Sequence, residues 1–236
     1  MKVICSMNNP LILHVETSTE LCSVAISHGA RCLAIRENSE GRNHAALLTV
    51  FIDDLLNANN ISTNQLDAIA VSSGPGSYTG LRIGLSTAKG LCYGGNTPLI
   101  SVSTLQTMSM GFALQNDIAD SALLCPMIDA RRMEVYTALY DREGRQIENI
   151  SAEIITEQSF ESWLDKHQIY FFGNGAAKCR PTITHPNAVF SENFTHSALY
   201  MIQPALQAYN NNQFEDIAYF EPYYLKDFIA GPKKKK

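Results

Sequence analysis

The chain has 236 residues, 45% of them hydrophobic and 17% charged, which suits one large domain or two small lobes with a sizeable core. A net charge of −5 excludes a protein that coats nucleic acid by charge alone, because phosphate neutralisation needs clustered Lys and Arg. No apolar stretch reaches the roughly 20 residues that span a bilayer, and the opening MKVICSMNNP carries no long apolar segment with a small-residue cleavage site, so a cytoplasmic protein is expected.

In chain order, 11–16, 21–27 and 31–37 are short apolar or β-branched runs divided by Thr-Ser-Thr-Glu and His28-Gly29, which predicts three antiparallel strands. The period then changes over 43–60, where Leu47, Leu48, Phe51, Leu55 and Leu56 recur at helical spacing. A buried strand is expected at 66–72, a helix at 81–93 stopped by Gly94-Gly95, a strand at 98–102, and a helix capped by Ser103 that runs to about Leu114. The second half repeats this order, with strands at 123–129, 134–141 and 146–154, a helix at 157–167 holding Trp163 as its core anchor, and a strand at 169–173. An irregular Pro-rich stretch follows, and a last helix at 194–210 must kink or restart at Pro204. Two copies of one order imply an α/β protein of two lobes, divided within 102–119 and assigned as 1–105 and 106–236.

Six cysteines, at positions 5, 22, 32, 92, 125 and 179, form no Cys-x-x-Cys pair, so neither a zinc ribbon nor a redox motif is indicated, and buried thiols are expected. The densest motif is Ser-Gly-Pro-Gly-Ser-Tyr-Thr-Gly-Leu-Arg-Ile-Gly-Leu-Ser-Thr-Ala-Lys-Gly at 73–90. A strand, a glycine turn and a helix start make a generic anion site, because free backbone N–H groups point outward. It is not a Walker A loop, which needs Gly-Lys-Ser/Thr where this chain has Gly80-Leu81-Arg82. Gly74 and Gly76 equally well serve a tight turn. Gly80, Gly84 and Ala88 form a stripe of small residues that lets another helix approach, either within the lobe or as a docking surface shared with the helix before it.

Three segments, HVETSTELCSVAI (14–26), GPGSYTGLRIGLSTAKGL (74–91) and DARRMEVYTALY (129–140), resemble the TsaB (YeaZ) family, and the likeness runs over about 12–225. The resemblance implies the actin-like ATPase (ASKHA, ribonuclease H-like) fold in two lobes, in agreement with the duplicated order. It also implies a non-catalytic subunit that pairs with a TsaD-type transferase. With a TsaE-type ATPase, that pair moves threonylcarbamoyl onto the tRNA adenosine beside the anticodon. Without its partner, the chain is expected to form a homodimer. tRNA is expected only through the complex.

The catalytic relative holds its metal with His-x-x-x-His, where this chain has Thr104 and Met108. No pair among its six histidines has that spacing, so neither a metal site nor a catalytic residue is expected. No cofactor is required by this reading, and weak ATP or ADP binding is left open at Glu16, Thr17, Ser18, Gly74, Gly76, Gly173 and Gly175. Glu16 stands where the family has Asp facing Mg-nucleotide; a strand-end carboxylate facing solvent is the other reading. The implied partner interface is His44, Leu47, Leu48, Phe51, Leu55, Tyr78, Leu81, Arg82, Leu85 and Ala88, with Arg42 and His44 matching an Arg-x-His pattern. Arg131 and Arg132 sit in a hairpin turn that is either solvated or in contact with RNA or a partner carboxylate. Glu221-Pro222-Tyr223-Tyr224-Leu225-Lys226 matches the family's terminal pattern and is expected to strap the tail across the body. Lys233 to Lys236 read as a solvated tail or a weak RNA or partner contact. The rival reading is an ATPase or kinase-like enzyme on the same fold, with Glu16 and Asp129 as loose Mg-ligand candidates.

Overall fold

The computed structural model describes residues 9–39 and 43–226. Arg42 and the Lys233 to Lys236 run lie outside the described residues. Among the described residues, ten strands and six α-helices follow as β1 (Leu11–Glu16), β2 (Cys22–His28), β3 (Arg31–Asn38), α1 (His44–Ala58), β4 (Ala68–Gly74), α2 (Tyr78–Gly95), β5 (Leu99–Ser103), α3 (Thr104–Gln115), β6 (Leu123–Asp129), β7 (Glu134–Thr137), β8 (Ser151–Ile154), α4 (Glu161–Leu164), β9 (Ile169–Phe172), α5 (Ala176–Cys179), β10 (Ala188–Ser191) and α6 (Ile202–Asn210). No helix among the described residues is long and apolar enough to cross a membrane.

The strands form two sheets of the same plan, β3-β2-β1-β4-β5 and β8-β7-β6-β9-β10. In each, the first three strands in chain order pair antiparallel and the last two join parallel. The expected first-lobe elements are all present within a few residues. Strands β1 and β4 are buried on both faces because both are covered, as parallel neighbours in the middle of a sheet must be. Leu48, Ile52 and Leu55 of α1, with Leu85, Ala88 and Cys92 of α2, pack on Leu13, Val15 and Val24. The opposite face, Ile12, Ala68, Ala70 and Ile100, is covered by Ala198 and Met201 of a 3₁₀ turn and by Ala205 of α6.

That cover revises the expected division at 105/106. Helix α3 starts at Thr104 and puts Leu105, Met108 and Phe112 against Leu124, Ile128 and Phe172 of the second lobe. The residues from Ala198 onward return to the first sheet. Each lobe is therefore closed by the helix that follows the other lobe's last strand, so 106–236 is not a self-contained unit.

The second half differs most from its sequence reading. The strand expected at 134–141 stops at Thr137, and Tyr140 forms only isolated bridges to Leu124 and Gln146. The helix expected at 157–167 contracts to α4, which Phe160 precedes in a left-handed conformation, φ 64°. Pro204 begins a new segment, since it lies in the first turn of α6, where its missing N–H would have no helical partner. The Pro-rich stretch contains α5 and β10. Ser103 precedes α3, but its side chain makes no capping bond. All five described cysteines are free thiols; four are buried and Cys32 is half-buried. Burial pushes the Cys22 thiol up to about 11 and that of Cys92 up to about 12, which leaves both unreactive.

Candidate functional site

The turn between β1 and β2 lies in a groove cut by glycines. Thr17 and Ser18 are fully buried. The Thr17 hydroxyl donates to the Gly80 carbonyl (2.8 Å), and the Ser77 amide donates to the Ser18 carbonyl (2.7 Å). A Cβ at Gly76 would stand 2.5 Å from the Ser18 oxygen, one at Gly80 2.0 Å from the Thr17 oxygen, and one at Gly84 2.3 Å from Thr17 Oγ1. At Gly76, Gly80 and Gly84 the glycines therefore admit this turn, and Gly80 also lies beside His44 at the start of α1. The Ser77 hydroxyl caps α2 by accepting from the Gly80 amide (3.3 Å). Two amides of the supposed phosphate cradle are thus bonded inside the protein.

Glu16 faces neither solvent nor an open site. Its Oε1 accepts from the Ser18 amide (2.6 Å) and hydroxyl (2.5 Å), and its Oε2 lies 2.7 Å from His196 Nε2. Burial alone would raise this carboxyl, but the His196 charge and hydrogen bond, with the Ser18 bonds, hold it below the usual carboxylate range. His196 Nε2 also lies 3.3 Å from Thr107 Oγ1 on α3. Beside it, Ser197 Oγ donates to Glu37 (2.6 Å) and the Ala198 amide donates to Ser23 Oγ (2.9 Å). This network pins the segment where the chain crosses back between lobes. Sequence reasoning missed His196, which is 180 residues from Glu16 and stands in no motif.

A cleft of about 780 Å³ opens between the lobes, walled by the β1–β2 turn, the start of α2, the β6–β7 hairpin and residues 223–226. Arg131 (φ 73°) and Arg132 (φ 51°) make the hairpin turn, both in the left-handed region where Asn-Gly is usual, and both line the cleft. Asp129 accepts from the Arg131 amide (3.0 Å) and pairs with Lys178. Partial burial pushes its carboxyl up, but the Lys178 bond, the Arg131 amide bond and the two positive charges together outweigh this and hold it low. Gly173 (φ +96°) and Gly175 let their turn lie on the end of β6, where a Cβ would meet the Met127 oxygen at 2.5 Å and the Asp129 amide at 3.0 Å, respectively. Of the seven nucleotide-site candidates, only Ser18 and Gly76 line the cleft.

The expected docking surface is also redistributed. Leu48, Leu55, Leu81, Leu85 and Ala88 are core residues of the first lobe. His44 is buried, with Nε2 bonded to the Thr19 carbonyl (2.8 Å). Leu47, Phe51 and Tyr78 are half-buried, and Arg82 alone is exposed. The apolar stripe faces inward because each helix has one such face and the sheet takes it. The outward surface is instead Thr49, Val50 (49% exposed) and Asp53 on α1, with Arg82, Ser86 and Tyr93 (86% exposed) on α2.

Two lobes of one strand order, joined around a cleft, define an actin-like ATPase architecture of the ribonuclease H-like type. A family model described as "TsaD: tRNA N6-adenosine threonylcarbamoyltransferase" matches residues 35–228, so the chain lies within that wider family. A "tRNA threonylcarbamoyladenosine biosynthesis protein TsaB" of Haemophilus influenzae is 30% identical over 96% of this chain and 98% of its own length. The Escherichia coli protein of the same name is 39% identical over 58% of this chain and 57% of its own length. The solved structure "YeaZ from Pseudomonas aeruginosa" superposes with a TM-score of 0.80 at 27% identity, covering 92% of this chain and 100% of that one. The chain belongs to the TsaB (YeaZ) family.

Proposed function

We propose that the chain is a non-catalytic subunit of the machinery that makes N6-threonylcarbamoyladenosine in tRNA, pairing in the cytoplasm with a TsaD-type transferase. A TsaE-type ATPase completes the assembly, and tRNA is met through the complex. The reading rests on helix α3. The family resemblance puts the transferase's two metal-binding imidazoles at Thr104 and Met108, and here both side chains are core residues, with the Met108 methyl against Gly173. Neither suits a divalent metal, and no cluster of three His, Cys, Asp or Glu among the described residues could hold one. The kinase-like alternative needs acidic Mg ligands aimed into the cleft. Glu16 is bonded to His196, and Asp129 to Lys178.

Docking through the outward face of α1 and α2 fits this role, and the same face closes on a second copy by two-fold symmetry when the transferase is absent. Mixing with purified transferase and size exclusion should give a one-to-one peak. Val50→Asp should remove that peak while changing stability by less than about 0.5 kcal/mol, as at other exposed positions. Leu85→Asp tests folding rather than docking, since Leu85 is buried. Transfer of threonylcarbamoyl to tRNA by this chain alone would overturn the assignment.

A further inference from the structure

Residues 221–226 touch both lobes, and the proposed function makes no use of them. On the first lobe the attachment is broad. The Tyr223 amide donates to the Ser73 carbonyl (2.7 Å), and the Tyr223 carbonyl comes so near Gly74 (φ +100°) that a Cβ there would stand 3.1 Å away. The Tyr224 ring lies 5.0 Å from the Tyr78 ring, and its hydroxyl accepts from Arg82 Nε (3.3 Å). The Arg82 guanidinium sits 4.1 Å from the centre of the Tyr78 ring, a cation–π contact. On the second lobe the described attachment is one ion pair, Lys226 to Glu134 on β7. Between these ends, Tyr223, Tyr224, Leu225 and Lys226 form one wall of the interlobe cleft.

The two attachments differ in kind. The Lys226 and Glu134 side chains are 43% and 17% exposed, so their attraction is modest and screened by salt. It is not the hairpin's sole support, because Lys178 separately bonds the Glu134 carbonyl (2.6 Å) and pairs with Asp129 within the second lobe. The chain crossings between lobes, at Ser103–Thr104 and at 194–198, are held by core packing and by the buried Glu16–His196 pair. We propose that residues 221–226 are a latch: fixed to α2 and β4 at one end, they close the cleft through Lys226 and Glu134, and release of that pair lets the β6–β7 hairpin move away.

Amide hydrogen exchange of the full chain at low and high salt, followed in peptides covering 17–20 and 129–135, tests this. Lys226→Met should raise exchange in 129–135 roughly threefold at low salt, as loss of a part-exposed pair implies, and should remove the salt dependence seen in the parent. Tyr224→Ala should do the same by loosening the fixed end. Arg180→Met breaks a more exposed ion pair with Glu192, which lines no part of the cleft, and should leave both peptides unchanged. Equal exchange in the parent, Lys226→Met and Tyr224→Ala, at unchanged melting temperature, would overturn the latch.

Discussion

The two lobes share a strand order and differ in what fills them. In the first, α1 and α2 run for 15 and 18 residues and cover an aliphatic core of Leu, Ile and Val. In the second, the corresponding α4 and α5 have only 4 residues each, and phenylalanine rings take up the volume. Phe112 stacks on Phe172 at 4.1 Å, and Phe171 meets Phe190 at 5.0 Å and Phe160 at 5.4 Å. One topology is thus stabilised either by helix area or by ring volume, and where the helices shrink each aromatic carries more of the core.

Three experiments press on that contrast. Phe171→Ala should have the largest effect, about 4 kcal/mol lost from the second lobe, read as an early unfolding step in the fluorescence of Trp163, the chain's only tryptophan; a cost below about 1 kcal/mol would mean that the ring cluster does not hold the lobe. Gly80→Ala should cost the first lobe about 3 kcal/mol, at the upper end for overpacking because its neighbour is backbone. Far-UV circular dichroism of α1 and α2 should then melt before the Trp163 signal.

The third is acid. His14, fully buried on β1 with Nε2 2.8 Å from Ser27 Oγ, is pulled by desolvation from 6.5 down to about 3. The folded state therefore keeps this imidazole neutral while the unfolded chain takes up a proton. The stability it confers is complete above pH 6.5 and is lost on descending toward pH 3, on the order of 1.4 kcal/mol per pH unit. The depressed carboxyl of Glu16 adds a further loss below the ordinary carboxylate range. Strand β6, the counterpart of β1, has no histidine, so between pH 6.5 and 5 this buried imidazole should weaken the first lobe by about 2 kcal/mol. In His14→Gln the two probes should keep the same separation across that range.

The first lobe was largely legible because its signals are long. The period of α1, the glycine run of α2 and the apolar runs of β1 to β3 each extend over enough residues to stand out from local noise. In the second lobe β6 and β9 were legible too, but α4, α5 and β10 were not, because they are set by neighbours: β10 is half-buried throughout, with no pattern of its own. The site divides likewise. The glycines were visible as a motif, whereas the Thr17 turn that fills their groove, and the His196 that occupies Glu16, were not.

By itself, the sequence determined the duplicated α/β order, the family and the replacement of two imidazoles by Thr104 and Met108. These depend on residue identity and on spacing along the chain. Only the tertiary structure decided which lobe each connecting helix covers, which leucines face inward, and that Glu16 meets His196. Those outcomes follow from burying apolar faces and pairing buried charge between segments far apart in the chain, and no local pattern encodes which distant segment arrives.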